Sequence, residues 1–414
     1  MTPQTTPRLP ADQLDFLDGL RGLAALWVML HHARWLLWEG WEGFRQHAAD
    51  YAVWEKGLVF LLAPLRYGHE AVIFFFVLSG FVIHYGYAKK LAATQAWAAH
   101  PDTPECNERK ARSLPPGEVR FGWLAYVKRR ARRLYPPLLL ALALTFALDF
   151  FGRSNGWAIY RSQTSYGLIN DTIKSDLGVG TALGNLAFLM PAWVPCYGSN
   201  GPLWSLHFEW WFYMIYPLLW LLARRSLGVA TGFVVAAFAL SWLVPAGSFF
   251  DAAQIFTALL TWWFGALLAE VMVGRLRVRW SALAPLTVLL LALPVALARW
   301  PGLASGWGAD TLYGLGFVGL FALCFTLRER GWSLRWLTWL QPLGEMSYTL
   351  YIVHLPILVF MSGWLLARSP DWATGGSLPR HFGWALVGAV VCLLVAWGAH
   401  FFVERPFVRK KCTA

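Results

Sequence analysis

The sequence predicts an all-α, polytopic membrane protein: a bundle of about ten spanning helices with both termini in the cytoplasm. Three observations predict it. Hydrophobic types make up 57% of the 414 residues and charged types only 14%, against about 25% charged in an ordinary soluble domain. The apolar residues gather in runs of about 20, the length that crosses a bilayer as a helix. Lys and Arg fall in alternate connections between the runs, the bias that marks cytoplasmic loops. The 26 Trp residues suit a chain with two membrane–water interfaces.

The same figures exclude disorder, collagen, coiled coil and a disulfide-stapled secreted scaffold. The net charge of +12 reads as membrane topology, not as a nucleic-acid footprint. Of the five Cys residues, Cys324 and Cys392 fall in apolar runs and Cys106, Cys196 and Cys412 in polar segments. Their spacing gives neither a disulfide framework nor a metal site. The first apolar run follows Asp12, Asp15, Asp18 and Arg21 and has no small-residue cleavage site after it, so no signal peptide is read.

The expected spans are 17–38, 66–87, 123–150, 201–223, 227–245, 254–273, 281–299, 311–327, 344–366 and 382–403. Pieces 57–65 and 184–194 are too short to span and read as re-entrant or interfacial. With ten helices, the basic groups fall on one side: Lys89 to Arg133, Arg224 and Arg225, Arg275 to Arg279, Arg328 to Arg335, and Arg405 to Lys411. The polar loop 151–183 on the opposite side is a candidate lid or acceptor-contacting surface. No internal repeat is visible. The chain reads as one integral-membrane domain over 1–414, with its core at 12–407 and no fused extracytoplasmic domain.

Ionisable residues within apolar runs are costly and mark candidate sites. In LDGLRGLAALWVMLHH, Arg21 and His32 are eleven residues apart. They share a helix face about 16 Å apart along the axis. This pair suits a substrate that crosses part of the membrane; a snorkelling Arg with an interfacial His is the alternative. His31 projects from another face and reads as a packing or interface residue. FFFVLSGFVIHYG follows, where Ser79-Gly80 marks a close helix contact or a break. In KRRARRLYPP, Arg130 and Arg133 share a face at i, i+3. Paired guanidinium groups suit phosphate; a topological anchor on anionic lipid is the alternative.

In PLWSLHFEWWFYMIYP, Glu209 needs a partner inside an apolar run, and Tyr213 lies one turn on at i+4. A Glu bonded to a neighbouring helix for structure alone is the alternative. His207 faces elsewhere. In GEMSYTLYIVHLPI, Ser347, Tyr351 and His354 form a polar stripe at i, i+4, i+7. In the terminal VERPF, the adjacent Glu404 and Arg405 read as a solvated helix end.

Together LDGLRGLAAL with its Arg-x10-His spacing, FFVLSGFVI, RRARRLYP, PLWSLHFEWWFY, SYTLYIVHLPI and VERP resemble the acyltransferase 3 family, in family order over essentially the whole chain. The resemblance implies an inner-membrane O-acyltransferase that moves an acyl group, acetyl most often, from cytoplasmic acyl-coenzyme A to a hydroxyl. It is a transferase of groups other than amino-acyl groups. The implied acceptor is a cell-envelope glycan or lipid-linked saccharide, such as lipopolysaccharide O-antigen or exopolysaccharide. His32 is implied as catalytic base with Arg21 as its partner, and Arg130 and Arg133 as coenzyme A contacts. Glu209 is a further catalytic candidate. Tyr213, Ser347, Tyr351 and His354 are candidates for substrate contact or structural support. Donor, acceptor and membrane lipids are the partners; no metal and no nucleic acid are called for. The family often carries two successive acids in the fourth segment, whereas Glu209 is followed by Trp210, a difference that bears on acceptor choice. The alternatives are a small-molecule or glucan acceptor, succinyl transfer, a proton-coupled transporter and a silent scaffold for glycan assembly.

Overall fold

The computed structural model describes residues 14–99, 121–244, 254–276, 278, 280–297 and 306–407. Asp12, Cys106, Cys412 and the basic residues Arg109, Lys110, Arg112, Arg120, Arg277, Arg279, Arg409, Lys410 and Lys411 lie outside them. Among the described residues the protein is all-helical. The long helices are α1 (Phe16–Leu36), α2 (Gly68–Ala99), α3 (Trp123–Ser154), α4 (Trp204–Arg225), α5 (Leu227–Ser241), α6 (Gln254–Met272), α7 (Trp280–Leu297), α8 (Trp307–Glu329), α9 (Ser347–Leu366) and α10 (Gly383–Ala399).

Each expected run is therefore a helix, but the ten are not alike. Six are long and apolar enough to cross a membrane: Gly68–Thr94, Trp123–Ser154, Gln254–Met272, Gly308–Arg328, Ser347–Leu366 and Gly383–Phe407. The others fall short for physical reasons. Helix α1 carries Asp18, Arg21 and Arg34. At 15 residues, α5 reaches only about 22 Å of the ~30 Å hydrocarbon layer.

Several boundaries also differ from expectation. Helix α2 continues past residue 87 to Ala99. The expected 344–366 run is broken at Met346 into a short helix, Gln341–Glu345, and α9. Helix α10 passes into a π-helical turn, His400–Glu404. Glu404 is not on a solvated end. It is 3% exposed and accepts hydrogen bonds from the Thr349 hydroxyl at 2.5 Å and from His400 Nδ1 at 2.9 Å. The wider turn brings the carboxylate inward, where those donors replace water.

The chain divides into two compact units. One is built around Ile73–Lys128 and Phe208–Trp336. Here α2 and α6 meet backbone to backbone. A Cβ on Gly80 would lie 1.9 Å from the Trp262 carbonyl oxygen, and one on Gly265 would lie 1.9 Å from that of Val77. Small residues let helices approach this closely, and dispersion replaces the hydrophobic effect as the driving force in lipid. The Ser79-Gly80 contact expected from sequence is thus a helix crossing. Phe74 and Phe321 stack beside it at 5.1 Å between ring centroids.

The other unit comprises Phe16–Val72, Arg129–His207 and the described part of Leu337–Ala414. Helix α1 packs on α9, α10 and the short helix Gln341–Glu345. At one end a Cβ on Gly22 would lie 2.6 Å from the Gly344 amide nitrogen. Ten residues on, His32 meets His354, which is ten residues past Gly344. Contacts that advance in step on both segments mean that α1 and α9 run parallel. The ten residues of α1 between the two contacts rise about 15 Å.

A histidine pair between two parallel helices

His32 and His354 are hydrogen-bonded to each other. His354 Nε2 lies 3.1 Å from His32 Nδ1, and the ring centroids are 5.0 Å apart. Each ring is also tied to its own helix: His32 Nδ1 is 2.9 Å from the Val28 carbonyl oxygen, and His354 Nδ1 is 3.1 Å from that of Leu350. The two differ in access. His354 is completely buried, whereas His32 is half-buried. His31 is the packing residue expected of its different face. Its Nδ1 donates to the Leu65 carbonyl at 2.8 Å, and its ring fills the space that Gly68 leaves open.

The floor of α9 is held by two polar segments. Asn200 donates to the Ile352 carbonyl at 2.8 Å and to the Thr145 hydroxyl at 3.2 Å. Tyr351 bonds the Ser205 hydroxyl at 2.8 Å and the Pro202 carbonyl at 3.2 Å. Asp149, fully buried in α3, fixes this segment in turn: it accepts the Ser199 amide at 2.6 Å, the Ser199 hydroxyl at 2.7 Å and the Ser175 hydroxyl at 3.1 Å. By holding Ser199, Asp149 positions Asn200 and Pro202, and through them the α9 backbone around His354. Sequence reading passed over Asp149 in LTFALDFFG, although a carboxylate within an apolar run was the signal that singled out Glu209.

The expected polar stripe on α9 exists, but its members serve different ends. Ser347 donates to the Gly344 carbonyl at 2.7 Å and closes the turn before the helix. Tyr351 ties α9 to 202–205, and His354 meets His32.

The arginines sort by exposure. Arg129 and Arg132 are exposed, while Arg130 and Arg133 are half-buried, as the i, i+3 register requires. Next to Arg133, the Leu134 carbonyl accepts the Tyr348 hydroxyl at 3.0 Å. The arginine turn is thereby placed beside the first turn of α9, six residues and about 9 Å along the axis from His354. Arg21 forms an ion pair with Asp18 at 2.9 Å, near the Gly22–Gly344 crossing. Arg21, Arg130, Arg133, His32, Ser347, Tyr351 and His354 all belong to this one unit. Glu209 and Tyr213 belong to the other, where the Tyr213 hydroxyl donates to the half-buried Glu209 carboxylate. His207 Nδ1 donates to the Phe188 carbonyl at 2.6 Å, away from Glu209.

That other unit holds a second buried histidine which sequence reading did not single out. His84 Nε2 donates to Glu270 at 2.6 Å, and Arg275 donates to the same carboxylate oxygen at 2.7 Å. The Tyr216 hydroxyl lies 3.1 Å from His84 Nδ1. Glu270, alone among the apolar residues of LLAEVM, carried the signal. Cys196, Cys324 and Cys392 are free thiols. Among the described residues no group of three or more His, Cys, Asp or Glu could hold a metal ion.

These observations define a helical membrane protein with a half-buried imidazole in the same compact unit as a pair of half-buried arginines. The chain belongs to the acyltransferase 3 family: the model of the family's acyltransferase domain matches residues 14–400. No curated protein and no solved structure matches it. The protein is thus a membrane acyltransferase.

Proposed function

We propose that this enzyme moves an acetyl group from cytoplasmic acyl-coenzyme A to a hydroxyl of a cell-envelope glycan in the inner membrane. The observation that carries this reading is the His32–His354 pair, placed within one unit above Arg130 and Arg133. His32 is the accessible ring of the pair and serves as general base. Arg130 and Arg133 take the phosphates of the donor, whose long pantetheine arm then runs along α1 and α9 toward His32. Arg21, held by Asp18, flanks that path.

The transfer balances on one histidine. An acceptor hydroxyl is a weak nucleophile at neutral pH. His32 takes its proton as the oxygen attacks the thioester carbonyl. The tetrahedral oxyanion collapses, the carbon–sulfur bond breaks, and the imidazolium returns the proton to the departing thiolate. The products are an ester and free coenzyme A. Burial between α1 and α9 limits competing attack by water.

The decisive experiment gives purified protein acetyl-coenzyme A and an envelope-glycan acceptor, and follows thiol release together with mass spectrometry of the glycan. Wild-type protein is expected to release thiol and add an acetyl-sized increment, and His32→Ala to do neither. Equal turnover by wild type and His32→Ala overturns the assignment of the base. The proposed orientation is tested separately by outside labelling of Gln163→Cys and Ala373→Cys, two exposed positions. Labelling at both, but not at a cysteine placed at 105, is expected.

A further inference from the structure

The hydrogen bonds around the histidine pair determine where its protons sit, and this gives His354 a role of its own. A backbone carbonyl can only accept. The contact of His354 Nδ1 with the Leu350 carbonyl at 3.1 Å therefore places a proton on Nδ1. The contact of His32 Nδ1 with the Val28 carbonyl at 2.9 Å places one there too. Across the 3.1 Å between the rings, His32 Nδ1–H faces His354 Nε2. Two N–H groups cannot bond head to head, so His354 Nε2 carries the lone pair and His354 is neutral. His32 then donates from Nδ1 to both the Val28 carbonyl and His354. Its remaining nitrogen, Nε2, holds the lone pair on the half-buried ring.

We propose that His354 is a positioning residue that acts with the Val28 carbonyl as the second acceptor holding His32 in the tautomer with Nε2 free, through the Nε2···H–Nδ1 hydrogen bond between α9 and α1. The inference rests on the reading of His32 as the base. When Nε2 takes the proton of the acceptor hydroxyl, His32 becomes an imidazolium whose Nδ1–H still points at a neutral acceptor. His354 stabilises that charge without taking the proton, because its own Nδ1–H is committed to Leu350. One proton is stored on the pair, and it returns from His32 Nε2 to the leaving thiolate. A carboxylate is absent from this second position among the described residues. The Cys392 thiol at 3.6 Å reaches only the His354 backbone carbonyl.

The requirement on residue 354 is therefore specific: an acceptor aimed at His32 Nδ1. His354→Gln can supply one through its side-chain carbonyl. His354→Leu has similar bulk and supplies none. Purified full-length variants are compared with wild type and His32→Ala by steady-state thiol release at varied acetyl-coenzyme A. His354→Leu is expected to lose about 10²-fold or more in kcat, within the range of a misoriented base, with KM for acetyl-coenzyme A unchanged. His354→Gln is expected to recover at least tenfold of that loss. If His32→Ala is inactive while His354→Leu turns over like wild type, the positioning role is wrong and the base assignment stands. Equal losses in Leu and Gln also overturn it, since a mere packing role does not discriminate an acceptor. If His32→Ala itself is active, the reading beneath the inference fails instead.

Discussion

Two histidine sites, one in each unit, differ in what they leave unused. His84 spends both ring nitrogens: Nε2 on Glu270 and Nδ1 toward Tyr216. Its carboxylate partner is shared with Arg275, and His84 and Glu270 are 2% and 0% exposed. His32 spends Nδ1 alone, its partner across the helices is the His354 ring, and His32 is only half-buried. The first arrangement neutralises charge inside a helix bundle. The second keeps one nitrogen available for a proton. Burial and a shared ion pair set the first site apart, and a half-buried ring bonded through Nδ1 is what recommends His32 as the proposed base. A search for ionisable residues in apolar runs finds both kinds and does not separate them.

The contrast can be broken most sharply by exchanging the readouts. His32→Ala should cut thiol release about 10²–10⁴-fold and leave thermal unfolding in detergent nearly unchanged. His31→Ala should retain most activity, because His31 bonds the Leu65 carbonyl and not His354. A dead His31→Ala with an active His32→Ala would show the reactive site to be one residue away.

Glu270→Ala should do the opposite. It leaves the buried His84 and the half-buried Arg275 without their shared carboxylate, and losing one partner of a buried pair costs about 3–5 kcal/mol. The unfolding midpoint should fall, while the turnover of the protein that remains folded stays near wild type. A stable Glu270→Ala with reduced turnover would make the first unit's site a participant in the reaction.

A smaller effect belongs to the arginines. Arg130→Ala with Arg133→Ala should weaken acetyl-coenzyme A binding about 10–100-fold, the worth of hydrogen bonds to charged groups. Lys at both positions should restore part of it, since an ammonium cannot make the bidentate contact. Unchanged affinity in the double Ala protein would leave both as lipid anchors.

The smallest effect lies in the loop that precedes α4. The Thr181 hydroxyl at 2.6 Å and the Gly178 amide at 2.8 Å hold the Asp176 carboxyl below the usual carboxylate range. Its ionised form is the one that the fold favours. Its contribution is therefore present above the unfolded-state value near ~3.9 and is lost as pH falls through the lowered native value. The group is exposed, so the contribution is about 0.5 kcal/mol or less. Asp176→Asn should lower the unfolding midpoint slightly at pH 7. It should also erase that small part of the acid sensitivity seen in wild type between pH 5 and pH 2.

Sequence reading located the helices well because lipid imposes one rule on every spanning segment: all backbone polar groups must be satisfied within it. It located the Arg21–His32 and Arg130–Arg133 registers for the same reason, since a single helix fixes which of its own residues share a face. The Glu209–Tyr213 bond is another such local outcome. It misread Glu404, whose inward turn depends on Thr349 fifty-five residues earlier. It also passed over Asp149 and the His84–Glu270 pair, whose members are 186 residues apart.

By itself, then, the sequence determined that this protein is an all-helical membrane acyltransferase, through hydropathy, charge placement and motifs that each lie within one helix. Tertiary structure alone decided that His32 is half-buried while His354 is fully buried, and that the two rings meet. The physical reason is distance along the chain. Periodicity reports the neighbours of a residue on its own helix, such as the Val28 carbonyl beside His32, whereas the ring that meets His32 Nδ1 belongs to a residue 322 positions away.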